Sequence, residues 1–461
     1  MRAAEAARAS VADPALGGAG PRQTLGSPRE ILSGRDVLAI TIGVVIGAGI
    51  FRTPALVAGQ ATSETVLLLA WMAGGLLSIV GALCYAELAS AYPSMGGDYH
   101  FLRRAFGQRL GFLYAWARLT VIQTGSLALL AYLFGDYLAA VLPMGPCGPS
   151  IYAAAAVVII SAINWIGVHW GARTQRWLTV AEIVGLVAVI IAGLMASPPG
   201  AAPQPVTEEG SIGLMMVFVL LTFGGWSEAV YISAEVRNAR RRLGWLMVGA
   251  LGLITLLYLL VNLAFLNALG LAGMAASDAV ATEVMRRSAG DVGAALISAF
   301  VAIAAITSAN ATAMTGARTA CALGRGFPAL QWLGRWDTRR DTPGNALVAQ
   351  GIVALLLVIA GAFARDGFQL AVEYTAPVFW FFLLLVGLAL FVLRVREPER
   401  ERPVTVPLYP VLPAIFCLTS AYLLYSSLAY TGLGALVGMG VLASGALLLL
   451  FLRPTPLKEI D

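Results

Sequence analysis

Apolar residues run along this chain in stretches of roughly 20 positions or more, long enough for a helix to cross a hydrocarbon core of about 30 Å. About twelve such stretches can be drawn. They are Val37–Ala58, Val66–Ala91, Leu110–Leu142, Ile151–Val168, Trp177–Met195, Ile212–Ala234, Leu243–Leu269, Val292–Leu323, Ala346–Ala364, Phe368–Leu393, Leu408–Ala429 and Leu433–Leu452. Inside lipid every backbone N–H and C=O must be paired, and a helix pairs its own. The pattern therefore predicts an all-α polytopic membrane protein with twelve transmembrane helices. The polar stretch Leu271–Arg287 between spans seven and eight is amphipathic and reads either as a surface helix or as an irregular loop.

Two spans depart from plain Leu/Ile/Val/Ala helix. Span one carries Gly47-Ala48-Gly49-Ile50-Phe51, with Gly43 before it and Pro54 beyond. Span six carries Leu221-Thr222-Phe223-Gly224-Gly225-Trp226-Ser227-Glu228. Glycine weakens a helix interior, and proline removes a donor and clashes with the preceding turn. Either cluster alone is equally consistent with close helix packing. Together they fall on the first members of two five-span sets, and paired interrupted segments point to a transporter's binding site. Unwound membrane backbone has to line a cavity or be buried in protein. Free N–H groups at a half-helix N-terminus suit a carboxylate, and unwound carbonyls suit an ammonium, so the pair would hold a zwitterion.

Charge orients the spans. Arginines gather in alternate gaps: Arg29 and Arg35; Arg103, Arg104 and Arg109; Arg173 and Arg176; Arg237 and Arg240 to Arg242; Arg325, Arg335, Arg339 and Arg340; Arg394, Arg396, Arg400 and Arg402. The gaps between carry little positive charge, which puts both termini in the cytoplasm of a cell-membrane protein. The net charge of +5 is thus spent on topology and gives no reason to invoke nucleic acid. The chain is 59% hydrophobic and 12% charged, with mean hydropathy +0.81, against about 25% charged in soluble domains. Four cysteines and two histidines are scattered without metal-ligand spacing. No nucleophile–base pair or phosphate loop is visible, so an enzyme is not expected. Residues 1–32 lack an apolar core and read as a disordered cytoplasmic tail. Residues 456–461 read as a second one.

At these residues the sequence resembles the amino acid–polyamine–organocation superfamily, in its L-type amino acid transporter branch. Ile46-Gly47-Ala48-Gly49-Ile50-Phe51 is similar to the family's first broken helix. Tyr85-Ala86-Glu87-Leu88, Pro93, Gly96-Gly97, Tyr99 and Ala105-Phe106-Gly107 are similar to its signature after span two. Phe223-Gly224-Gly225-Trp226 is similar to its broken sixth helix, with Glu235, Asn238 and Arg240 in the following loop and Asn310 and Gly316-Ala317-Arg318 near the end of span eight. The resemblance implies a transporter domain over residues 33–455, with inverted repeats over about 33–196 and 211–394 and two extra helices over about 406–453. It implies that backbone N–H groups of Ala48, Gly49 and Ile50 hold a substrate carboxylate. Backbone carbonyls of Leu221, Thr222 and Gly224 would hold the amine. Leu221 stands where relatives often carry an aromatic gate, so a preference for bulky substrates does not follow. Trp226, Gln123, Ser126 and Trp380 are further pocket candidates, each equally open to plain packing. Cys147 lies in the loop where animal relatives bond to a heavy subunit; here it reads as a free surface thiol, and no such subunit is expected.

Span five departs from the family. Relatives often carry a lysine at the position of Glu182, where the ammonium takes the place of a sodium ion. An ionisable side chain inside a span is a functional candidate by default. Glu182 is open to three readings: carrying a coupling proton, binding a cation such as Na⁺ with Thr307 or Ser308, or pairing structurally with Arg118 or Arg173. Elsewhere, Glu87 is expected to anchor a loop through an arginine, Arg52 to reach the interface, Glu228 to face a vestibule and Glu373 to lie at the external boundary. The leading expectation is a secondary active transporter or exchanger of amino acids, neutral L-amino acids first, with no cofactor beyond a coupling H⁺ or Na⁺. A polyamine or cationic amino-acid permease is the nearest alternative, and a non-transporting membrane sensor the alternative of another class.

Overall fold

The computed structural model describes residues 38, 41–43, 45–47, 49–94, 96–167, 172–198, 210–228, 239–277, 279–337, 339–340, 342–363, 367–430 and 433–452, with backbone alone at 172–176, 178, 239–243, 430 and 433. Both expected tails lie outside these residues, as do the motif residues Glu235 and Asn238.

The helices are α1 (Gly49–Ala58), α2 (Glu64–Ala91), α3 (Asp98–Phe106), α4 (Gln108–Ala117), α5 (Gln123–Val141), α6 (Gly148–Ile166), α7 (Ala172–Met195), α8 (Ile212–Thr222), α9 (Ala239–Ala275), α10 (Val280–Gly326), α11 (Gly344–Ala362), α12 (Gly367–Arg396), α13 (Val411–Tyr430) and α14 (Leu433–Leu448). Among the described residues there is no strand, only an isolated bridge between Asp337 and Thr342. Among the described residues eight helices are long and apolar enough to cross a membrane, and three shorter apolar ones accompany them over Thr179–Met195, Ile212–Glu228 and Gly434–Leu448. The protein is an all-helical, multi-pass membrane protein.

Side-chain burial fits a lipid solvent. Ile151, Val158, Ile159 and Ile166 stand exposed on one side of α6, and Val180, Val184, Val187 and Ile191 on one side of α7. In water such apolar faces would need a partner; in a bilayer they face acyl chains.

The packing follows a regular scheme. Helix α1 packs on α8, α2 on α9, α5 on α10 and α6 on α11. Helix α7 also packs on α10, as α12 packs on α5. The core between α2, α8 and α9 is aromatic: Phe223 lies 4.9 Å from Tyr258 and 6.1 Å from Trp71, centroid to centroid. Gly74 of α2 makes this possible, since a Cβ there would fall 2.3 Å from Val219 and 3.3 Å from Phe223.

Two details were not expected. Helix α3 occupies the polar gap after α2. The third span is also not one α-helix: α4 and α5 are joined by a π turn over Arg118–Ile122, in which the N–H of Gln123 donates to the carbonyl of Arg118. The segment left open as helix or loop is largely helical. It runs over 271–275 and 280–289, turned out of the spans by non-helical backbone at Gly270 (φ +66°) and Gly290 (φ +68°).

Candidate substrate site

The two glycine clusters do break their helices. On the first span a helical turn ends with Ile46 donating to Ile42, a bend follows at Ile46 and Gly47, and α1 starts afresh at Gly49. Ala48 lies outside the described residues. The first N–H groups of α1 have no carbonyl of their own helix to meet. On the sixth span α8 ends at Thr222, and Phe223–Gly225 form a turn closed by Gly224 donating to Leu221 at 3.0 Å. Gly225 sits at φ +99°, backbone that side chains rarely adopt. One further turn follows over Trp226–Glu228, with Glu228 donating to the Gly225 carbonyl at 2.9 Å.

The breaks meet. A Cβ at Gly49 would lie 3.5 Å from Thr222 Cγ2, ordinary contact distance. The start of α1, whose first N–H groups have no partner in their own helix, therefore adjoins the end of α8, whose last carbonyls have no continuing helix to accept from. Their dipole ends are of opposite sign. Tyr258 of α9 bridges both: its hydroxyl donates to Val45 O at 2.7 Å and lies 3.4 Å from Thr222 O. Tyr137 likewise donates to Phe51 O at 3.0 Å. Neither tyrosine was singled out from sequence, since a tyrosine within an apolar run gives no sign of which carbonyl it will meet.

The other site candidates divide. Ile50 is buried at the start of α1. Leu221 is only partly buried beside the turn, and Thr222 is buried with its hydroxyl on Phe218 O. Phe223 spends its ring on the Trp71–Tyr258 core, so only its backbone faces the break. Trp226 stacks edge-on against Tyr85 at 5.0 Å and, with Ser78, Gly224, Gly225 and Trp380, lines a small cavity behind the turn. Gln123 donates to Thr312 O and Thr315 Oγ1, tying the third span to α10, and Ser126 bonds Ile122 O in its own helix. The packing alternative describes these two.

Glu182 is 3% exposed, and neither carboxylate oxygen has a hydrogen-bond partner among the described residues. It lies close enough to Tyr258 for their charges to interact. Gly185 of α7 abuts Phe300, and Ser288 reaches Ala192 O. This antiparallel register puts Glu182 about a turn from Thr307 and Ser308 on α10. Those hydroxyls are buried; Thr307 bonds Ile303 O and Ser308 Oγ has no partner among the described residues. None of the three bonds another.

Arg118 does not serve Glu182. Its guanidinium Nη2 donates to both oxygens of Glu228 at 2.8 and 2.7 Å, and its Nη1 to Tyr114 Oη at 3.1 Å. Tyr114 in turn donates to Asp98 at 2.9 Å. The side chain of Arg173 is outside the described set. Glu87 is anchored as expected: Arg394 donates to it at 2.7 and 2.5 Å, and the Val406 N–H at 2.7 Å. Glu373 accepts from Gln369 at 3.0 Å. Cys147 is exposed and free, while Cys84, Cys321 and Cys417 are buried thiols. No cluster of metal-ligating side chains exists among the described residues.

Residues 32–451 match the family described as amino acid permease. The chain belongs to the amino acid permease family. The match spans both broken segments and every helix above, and it makes the protein a transporter of amino acids rather than an enzyme. The permease is similar to the mouse (Mus musculus) b(0,+)-type amino acid transporter 1, 32% identical over 405 residues, 86% of this chain and 81% of the relative. It is similar to the human large neutral amino acids transporter small subunit 2, 29% identical over 422 residues, 88% and 77% of the two chains. It is also similar to the serine/threonine exchanger SteT of Bacillus subtilis (strain 168), 26% identical over 415 residues, 87% and 93%.

Proposed function

We propose that this permease moves neutral L-amino acids across the cell membrane by alternating access, holding the substrate's backbone at the junction of α1 and α8. The carboxylate would sit on the N–H groups of Ala48, Gly49 and Ile50, and the ammonium on carbonyls of Leu221, Thr222 and Gly224. The single observation that carries the reading is the contact between Gly49 and Thr222, which sets a positive and a negative helix end side by side. Leu221, Phe223, Gly225 and Trp226 complete the wall, with Gly47 as the hinge of the first break.

A neutral side chain fits the charges nearby. Glu228, the carboxylate nearest the second break, is neutralised by Arg118, whose Nη2 meets both of its oxygens, so it offers no free anion to a cationic substrate. Similar relatives include transporters named for neutral amino acids and for serine and threonine.

The architecture in this reading is twelve crossings in a five-plus-five inverted repeat, over about 33–196 and 211–394, followed by two more helices. The packing of α1 on α8, α2 on α9, α5 on α10 and α6 on α11 supports it, because four spans of one half meet their counterparts in the other, while α7 on α10 mirrors α12 on α5. Arginine distribution supports cytoplasmic termini. Glu182 is the coupling residue, neutralised by a proton or by Na⁺ with Thr307 or Ser308, since a buried carboxylate without a donor needs one or the other. No heavy subunit is part of the proposal.

The test is uptake of labelled amino acids into vesicles holding the purified protein, across a substrate panel, with and without Na⁺, a pH gradient and internal substrate. Accumulation or exchange of small and medium neutral amino acids is expected. Uptake confined to cationic substrates, or none at all, overturns the proposal.

A further inference from the structure

Below the second break lies a polar chain that substrate binding does not use. Glu228 is the last residue of the turn after Gly225. Its partner Arg118 opens the π turn of the third span, and the arginine side chain is only 4% exposed, the glutamate 17%. Tyr114, one turn earlier, supports Arg118 and is held by Asp98 at the start of α3. Tyr85 of α2 lies against Trp226 beside the same cluster, close enough to Asp98 and Arg118 for their charges to interact.

Two facts make this more than a structural ion pair. It joins residues 110 positions apart, one on each side of the proposed repeat boundary. Alternating access works by moving one repeat or bundle against the other around the fixed site, and this contact lies between two such parts. Second, the backbone is spent on making it. A π turn inserts one extra residue into the helix and turns the segment before it by about 100° relative to the segment after it. Relative to the segment from Gln123 on, which is tied to α10, an unbroken α-helix would turn Arg118 about 100° away from the direction in which it meets Glu228.

We propose that the Arg118–Glu228 pair is the inner gate of this permease, closing the path from the α1–α8 junction to the cytoplasmic face, with Tyr114 and Asp98 holding the arginine in the closed position. The proposal rests on the orientation given above and deepens that reading. One guanidinium nitrogen, Nη2, meets both carboxylate oxygens, so both charge-assisted bonds break together when the side chains part. It is nearly excluded from water when closed, and on opening both charges can be hydrated in the widened path. Occupied substrate site and closed gate thus share one element, the turn 223–228, so a rearrangement at Gly224 and Gly225 on substrate binding reaches Glu228 within three residues.

The test is thiol accessibility in a Cys147→Ser, Ser227→Cys protein in oriented vesicles, labelled by an impermeant maleimide. Arg118→Gln and Glu228→Gln should each raise labelling of Ser227→Cys from the cytoplasmic side about tenfold or more, a shift of about 1.4 kcal/mol in the closed–open equilibrium. The charge swap Arg118→Glu with Glu228→Arg should return labelling toward the starting rate. Where a glutamine variant does not fold, Glu228→Asp, with a shorter arm, should raise labelling part-way. Unchanged labelling in the single variants, a swap as open as either single, or a rise from the external side alone overturns the gate. The readout needs no transport: absence of uptake with every amino acid would defeat the proposed function, while labelling still decides the gate.

Discussion

Asp98 shows how one residue's setting departs from its type. It is 6% exposed, at the start of α3, and burial pushes its carboxyl up to about 6 from 3.8, with Arg118 and the Tyr114 hydroxyl opposing the shift and Glu228 adding to it. The folded chain therefore holds this proton more tightly than the unfolded one. The Asp98 contribution to stability is full below about pH 4 and is lost as pH rises through about 6. Melting of the detergent-solubilised protein should shift upward between pH 7 and pH 5, and Asp98→Asn should flatten that dependence. A variant as pH-sensitive as the parent would locate the titration elsewhere. At Glu182 the expected outcome concerns coupling. Glu182→Gln keeps shape and removes the charge, so counter-exchange of substrate should persist while accumulation driven by a proton or sodium gradient falls to the exchange level. Gradient-driven uptake at the parent rate would remove Glu182 from coupling.

At the scale of elements, the breaks were legible because glycine and proline act locally: they weaken a helix wherever it sits. Their meeting was not legible. That Gly49 touches Thr222 depends on α1 and α8 packing together, which local sequence does not encode. The π turn was invisible for a related reason. Arg118-Leu119-Thr120-Val121-Ile122 has no helix breaker, and its wider turn is held by contacts with Glu228 on one side and α10 on the other. Gly225 permits a direct check of the unwound segment. At φ +99° a β-branched side chain is strained, costing about 1–3 kcal/mol. Gly225→Val should lower substrate affinity, read by equilibrium binding, and depress melting by that order. Gly74→Val, placed against Val219 and Phe223, should depress melting similarly by overpacking of about 1–3 kcal/mol.

Charge ties α2 to the end of α12 and the segment after it. Glu87, its side chain 2% exposed, joins α2 to the end of α12 through Arg394 and to the following segment through Val406 and, at 3.6 Å, Arg402. Removing one partner of such a pair strands the others and costs about 3–5 kcal/mol. Glu87→Ala should therefore melt well below the parent, and more so than Arg104→Ala, whose pair with Glu397 is more than a quarter exposed on both sides. Sidedness has its own probe. Cys147 is the single exposed cysteine, in the connection before α6. An impermeant maleimide should label the intact cell at Cys147 and leave the Cys147→Ser protein unlabelled. Labelling from the cytoplasmic side alone would invert the proposed topology.

Apolar run length and arginine placement by themselves determined that this is a multi-pass helical membrane protein, because the bilayer imposes one thickness and one backbone rule on every span. Motif order along the chain determined its family, and the glycine clusters marked where the helices open. Only tertiary structure decided which groups face each other: Gly49 with Thr222, Tyr258 across both breaks, Arg118 with Glu228 rather than Glu182, and Glu182 with no hydrogen-bond partner among the described residues. Local composition acts over a few residues, whereas these contacts join positions from 36 to 213 apart, and their distances follow from how whole helices pack.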